Sequence, residues 1–163
     1  PRLNDDQYNA IDIIKKSSNN VFLLKGVTGS GKTEVYMSLV NEAIPKEQSS
    51  IVLVPEISLT PQMIERFKGR FGREVAVFHS RLSDGERYDE WYRVKAGKAK
   101  LVIGARSALF LPVSNLGLII IDEEHENTYK SEQNPKYQAR EVAEFISKIR
   151  GCKVILGSAT PSI

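Results

Sequence analysis

At 163 residues, with 41% of them hydrophobic and 26% charged, the chain is sized for one folded domain, and its composition excludes a disordered or fibrous polymer. Its 23 basic residues exceed its 20 acidic ones only slightly, and the resulting net charge of +3 permits nucleic-acid contact without demanding it. A single cysteine, Cys152, excludes an internal disulfide, and no apolar stretch approaches the roughly 20 residues of a membrane span.

No Cys/His cluster suggests zinc, and no secretory leader opens the chain. A reducing, cytosolic setting fits, with Cys152 in a structural role at a strand entrance. The chain opens at Pro1 and closes on Ser158-Ala159-Thr160-Pro161-Ser162-Ile163, and both ends read as boundaries inside a longer protein.

The elements alternate along the chain. Asn4 or Asp5 caps a first helix reaching Lys16, and an apolar strand follows at 21–25. A second helix covers 32–43, and a second strand 51–55. Thr60-Pro61 places a cap before a proline at the first helical position, opening a helix to about Phe71. A strand at 75–78 follows. Ser83-Asp84-Gly85-Glu86 is a capping-box pattern and opens a helix to about Ala96. Strands at 101–104 and 118–121, a helix over 139–148 and a strand at 154–156 complete the series. Several strands are apolar at consecutive positions, which suits a parallel sheet buried on both faces. The expected fold is α/β, with a mostly parallel central sheet and helices on both sides. The stretch 124–137 reads as a long loop, and loops of that length usually carry function.

Two segments carry chemistry. Gly26-Val27-Thr28-Gly29-Ser30-Gly31-Lys32-Thr33 fits G-x-x-x-x-G-K-[ST] between a strand and a helix. Its glycines let successive N–H groups turn toward phosphate oxygens, and the following helix adds its positive dipole end. Lys32 is expected to reach the β- and γ-phosphates of ATP, and Thr33 to place its hydroxyl on Mg²⁺. Gly26, Thr28, Gly29, Ser30 and Gly31 form the cradle. The strand at 118–121 runs into Asp122-Glu123-Glu124-His125. Acids at the carboxyl end of a parallel strand stand where open α/β folds bind ligands. Asp122 suits Mg²⁺, and Glu123 suits the attacking water. The alternative is an acidic solvated turn. The same edge is expected to hold the phosphate loop centrally in the sheet. His125 reads either as a relay from the nucleotide site or as a buried, hydrogen-bonded histidine. His79 reads as structural or DNA-side, and Trp91 as packing.

These motifs resemble those of superfamily 2 helicases. Asp122-Glu123-Glu124-His125 is similar to their DExH box, Ser158-Ala159-Thr160 to their third motif, and Leu3-Asn4-Asp5-Asp6-Gln7 to their adenine-reading glutamine element. Longer stretches are very similar to the PriA family of replication-restart helicases. They include Gly26 through Tyr36, Leu53-Val54-Pro55-Glu56-Ile57-Ser58-Leu59-Thr60-Pro61-Gln62, Phe78-His79-Ser80, Gly104-Ala105-Arg106-Ser107-Ala108-Leu109-Phe110 and Gly157-Ser158-Ala159-Thr160-Pro161-Ser162.

The resemblance implies a RecA-like P-loop NTPase domain. It would be the first lobe of a 3′→5′ DNA helicase that reloads replication machinery at stalled forks, using ATP and Mg²⁺. Gln7 would read adenine. Pro55, Glu56, Gly104, Arg106 and Ser107 would face the DNA backbone. His125, Ser158 and Thr160 would couple the nucleotide site to DNA. Tyr129, Lys130, Lys136, Tyr137 and Arg140 match an aromatic-rich loop, where stacking and phosphate contact are physically apt, although an ordinary surface loop is the alternative. Partners implied are single-stranded or forked DNA, single-strand-binding protein and the replicative helicase loader. The parent would be a monomeric bacterial protein of the cytoplasm and nucleoid, with no membrane contact. As one lobe, the 163 residues would bind nucleotide weakly, hydrolyse little and unwind nothing. The competing readings are another superfamily 2 translocase lobe and a non-catalytic nucleotide-binding assembly module.

Overall fold

The computed structural model describes residues 3–25, 30–122 and 139–158, apart from the side chain of Ser30. Six strands form one sheet: β1 (Val21–Leu24), β2 (Ser49–Leu53), β3 (Val75–Phe78), β4 (Leu101–Gly104), β5 (Leu116–Ile121) and β6 (Lys153–Gly157). Every pairing is parallel, and the order across the sheet is β1-β6-β5-β2-β4-β3. Parallel neighbours require crossovers, and the helices supply them. α2 (Ser30–Ala43), α3 (Pro61–Phe71), α4 (Asp84–Lys95) and α5 (Ala139–Arg150) lie between strands, α1 (Asp5–Lys16) precedes β1, and the short turn Arg106–Phe110 joins β4 to β5.

Strand alternation divides the core in two. Leu24, Val52, Val54, Val75, Val77, Leu101, Ile103, Leu118, Ile120 and Ile155 pack with α1, α2 and α3. Ile51, Leu53, Ala76, Phe78, Val102, Ile119, Ile121, Val154 and Leu156 pack with residues of α4 and α5 on the other face. Neighbouring residues thus face opposite layers, as a period of two demands. Both layers being apolar explains why the strands read as continuous hydrophobic runs.

The helix starts follow local chemistry. The Asn4 side chain accepts from the Gln7 N–H at 2.8 Å, and Gln7 Oε1 accepts from the Asn4 N–H at 2.8 Å. Thr60 caps α3 by accepting from the Met63 N–H at 3.2 Å, with Pro61 at the first position. Ser83 and Glu86 make the reciprocal capping box on α4, at 3.1 and 2.8 Å. Each device satisfies amide groups that the first helical turn leaves without partners. Cys152 is buried just before β6, where burial pushes its thiol up, as a structural residue requires. Trp91 packs against the α4–α5 layer with Lys95 Nζ 5.0 Å from its ring centre.

One expectation is corrected. The strand leading to the phosphate loop was expected in the middle of the sheet, yet β1 is an edge strand among those described. Its exposure agrees, since Val21 and Leu23 stay 37% and 48% exposed on the face away from α2. The strand beside it is β6, not β5, so the third-motif strand lies between the loop strand and the acidic strand. Among the described residues no helix is long and apolar enough to cross a membrane.

Candidate functional site

Because all six strands are parallel, their carboxyl ends share one edge of the sheet. Reading along it, the ends run into the loop before Lys32, into Ser158, into Asp122, into Pro55, into Ala105 and into His79. Open α/β sheets bind ligands at this edge. The β1, β6 and β5 half carries the residues read as nucleotide-binding. The β2, β4 and β3 half carries those read as DNA-facing.

Lys32 and Asp122 meet. Lys32 sits in the first turn of α2, and Asp122 follows β5. Asp122 shares the parity of Leu118 and Ile120, which directs its carboxylate to the layer that holds α2. The Lys32 ammonium is 3.1 Å from Asp122 Oδ1, with side chains 4% and 15% exposed. A buried ammonium needs a counter-charge, and a carboxylate or a phosphate can provide it. Asp122 also receives a 2.6 Å hydrogen bond on Oδ1 from the hydroxyl of Tyr36. Its backbone N–H donates to Leu53 at 2.9 Å, which fixes the end of β5 beside β2.

This donor set fits a magnesium-bound polyphosphate. Asp122 and the half-buried Thr33, next to Lys32 in sequence, offer hard oxygen donors, and Lys32 offers the cation. Magnesium prefers one or two carboxylates plus phosphates and water over an all-protein cage. Among the described residues no group of three or more His, Cys, Asp or Glu is placed to hold a metal.

Gln7, read from the sequence as the adenine-contacting residue, makes structural contacts that the sequence reading did not assign to it. Its side chain is buried and donates from Nε2 to the Gly31 carbonyl at 2.9 Å, while Oε1 completes the capping box. The amide therefore bolts the start of α1 to the start of the phosphate-loop helix. Ser158 is 7% exposed and follows β6, and its N–H donates to the Leu24 carbonyl at 3.0 Å. The third motif is thereby joined to the strand that leads into the loop.

The other half of the edge is tied together too. Pro55 is buried, and Glu56 Oε1 accepts from the Ser80 N–H at 3.1 Å, linking the ends of β2 and β3. Gly104 ends β4 against Phe78. Arg106 is 8% exposed within the turn Arg106–Phe110, whereas Ser107 is open. Arg140, in the first turn of α5, pairs with Glu144 at 2.8 Å. His79 Nδ1 accepts from the Arg81 N–H at 3.0 Å, which requires that nitrogen to be unprotonated. Burial, joined by the Arg81 charge, holds the imidazole below its ordinary value, against the pull of Glu56 and Glu86.

Gly26, Thr28, Gly29, the side chain of Ser30, Glu123, His125, Tyr129, Lys130, Lys136, Tyr137 and Thr160 lie outside the described part of the structure. Two residues to which sequence reading gave no role matter here: Tyr36 stands at the site, and Glu34 anchors the helix that carries Lys32. Tyr36 is four residues from Lys32, hence on the same face of α2, and that spacing was a usable signal. Glu34 is buried between Arg66 at 2.6 Å and Arg70 at 3.0 Å, which clamp α2 to α3.

The DEAD/DEAH box helicase family matches residues 4–163. The chain is similar to the replication restart protein PriA of Bacillus subtilis, at 54% identity over 99% of this chain and 20% of that protein. It is also similar to PriA of Synechocystis sp., at 56% identity over 86% of this chain and 17% of that protein. The chain thus spans about a fifth of the length of the curated relatives it matches. Among solved structures, RecG bound to a three-way DNA junction superposes with a TM-score of 0.74 at 24% identity, covering 99% of this chain and 21% of that one. The Pyrococcus furiosus Hef helicase domain follows at 0.68 and 22%, covering 97% of this chain and 33% of that one. These likenesses show a shared fold, that of the RecA-like lobe of helicases. The chain belongs to the DEAD/DEAH box helicase family.

Proposed function

We propose that this chain is the ATP-binding lobe of a 3′→5′ DNA helicase that restarts stalled replication forks, coupling ATP hydrolysis to movement along single-stranded DNA. The observation that carries the reading is the 3.1 Å approach of Lys32 to Asp122, two motif residues 90 positions apart. Relatives named replication restart protein PriA, at 46–56% identity, favour this over another translocase or a non-catalytic module.

In this reading Gln7 contacts adenine, and the cradle Gly26, Thr28, Gly29, Ser30 and Gly31 turns N–H groups toward the phosphates. Lys32 exchanges its carboxylate partner for phosphate oxygens. Thr33 and Asp122 would hold Mg²⁺, which when bound would supply positive charge against the phosphates. Glu123 orients the attacking water and receives its proton. His125, Ser158 and Thr160 pass the state of the nucleotide to the DNA side. Pro55, Glu56, Gly104, Arg106, Ser107, Tyr129, Lys130, Lys136, Tyr137 and Arg140 meet the strand by backbone contact and stacking. Single-strand-binding protein and the replicative helicase loader are partners of the whole cytoplasmic protein.

A second lobe supplies arginines to the transferring phosphoryl group in such motors, an effect worth several kcal/mol. The 163 residues alone therefore bind nucleotide weakly and turn over little. ATP hydrolysis by the complete protein, with and without single-stranded DNA, tests the reading. Stimulated turnover is expected in the wild type, none in Lys32→Ala, and binding without turnover in Glu123→Gln. Wild-type turnover in Lys32→Ala would refute it.

A further inference from the structure

Tyr36 is fully buried, yet its hydroxyl reaches a charged group across the layer. It leaves α2, crosses the end of β6 and donates to Asp122 Oδ1 at 2.6 Å. The path exists because position 157 is glycine. A Cβ built on Gly157 would fall well inside contact distance of the Tyr36 hydroxyl, 3.0 Å from Tyr36 Cζ and 3.2 Å from Asp122 Oδ1. Gly157 has the parity of Ile155, so a side chain there would point into the α2 layer, where the phenol lies. No backbone turn explains this glycine, since its φ is not in the left-handed region. Its missing side chain is the space the phenol uses.

The two described donors to Oδ1 differ in kind. Lys32 ends a long, flexible stem, and its ammonium has a second anionic partner in any bound phosphate. Tyr36 is a rigid ring, fully buried, and its hydroxyl is held on Oδ1 at 2.6 Å. We propose that Tyr36 is a positioning residue that keeps the Asp122 carboxylate oriented while Lys32 transfers from it to nucleotide phosphate, and that Gly157 is the gap that admits it. Three segments meet at this one oxygen: the phosphate-loop helix, the acidic strand and the strand leading to the third motif. The inference rests on the reading of this edge as a magnesium–nucleotide site.

The test is the affinity of the complete protein for a fluorescent ATP analogue, measured with Mg²⁺ and again with EDTA. The ratio of the two affinities reports how well the carboxylate serves the cation. In Tyr36→Phe this ratio falls about tenfold, the scale of a lost hydrogen bond to a charged group. Affinity in EDTA changes far less. Gly157→Ala expels the hydroxyl and lowers the ratio similarly. Adding Tyr36→Phe to Gly157→Ala costs no further tenfold, because both changes remove one contact. Thermal melts without nucleotide check that the variants fold. A Tyr36→Phe protein of reduced stability but unchanged ratio would overturn the proposal and leave Tyr36 as packing. A wild type whose affinity ignores Mg²⁺ would overturn the site reading itself, a distinguishable result.

Discussion

Removing the carboxylate of Glu34 tests how the phosphate-loop helix is anchored. Glu34 lies two residues beyond Lys32 and pairs with two guanidinium groups of α3. Its side chain is 11% exposed, while those of Arg66 and Arg70 are 37% and 34% exposed. A fully buried pair broken on one side costs about 3–5 kcal/mol, and an exposed pair about 0–1 kcal/mol. The half-open arginines place Glu34→Ala between, at about 2 kcal/mol. For a domain of this size that is a fall of about 4–8 °C in Tm at pH 7.

Acid supplies the control. Burial pushes the Glu34 carboxyl up, but hydrogen bonds and charge from Arg66 and Arg70 outweigh it and hold the group below the ordinary glutamate value. A depressed folded-state value means that the stabilisation is complete above the unfolded value and is lost as pH falls through the folded one. The gap between wild type and Glu34→Ala is therefore constant near neutrality and closes as pH drops below about 4.5. Calorimetric melts across that range measure it. A fall under about 1 °C at pH 7, or a gap that persists unchanged into acid, would refute the anchoring argument.

Two further substitutions separate structural from functional roles. Gly104→Ala places a Cβ 2.7 Å from the Phe78 carbonyl oxygen and 3.1 Å from Ala108 Cβ, so β3, β4 or the following turn must shift. A loss of about 1–3 kcal/mol by denaturant titration is expected, and an unchanged midpoint would show that β3 yields freely. Gln7→Ala removes two hydrogen bonds, to the Asn4 N–H and the Gly31 carbonyl, for about 2 kcal/mol. Gln7→Glu keeps the acceptor of the capping box but loses the donor to Gly31. It is expected to retain α1 by circular dichroism while weakening ADP binding severalfold. Equal ADP affinity in Gln7→Glu and wild type would confine Gln7 to capping.

Most of the elements were legible in the sequence, because their boundaries are set by local chemistry. Asn4, Thr60-Pro61 and Ser83–Glu86 cap helices at the positions expected from their side chains alone. The misses have tertiary causes. β2 starts at Ser49 rather than Ile51, since the amides of Ser49 and Ser50 find the carbonyls of Asn115 and Lys100 on flanking segments. α5 continues to Arg150 and stops where Gly151 takes a positive φ of 73°. Strand order was unreadable because each strand is apolar on both faces and nothing in one names its neighbour. Motif chemistry assigned Lys32 and Asp122 to one nucleotide site, but their direct ion pair was not anticipated. The path of Tyr36 past Gly157 was not, since it depends on β6 lying between β1 and β5.

The most direct test of the account is a crystal structure of the complete protein with Mg²⁺ and a non-hydrolysable ATP analogue. The account predicts that Lys32 Nζ will have left Asp122 for the β- and γ-phosphate oxygens, with the Asp122 carboxylate turned to the cation and still bonded to Tyr36. A nucleotide bound elsewhere, with Lys32 and Asp122 paired as they are here, would contradict it.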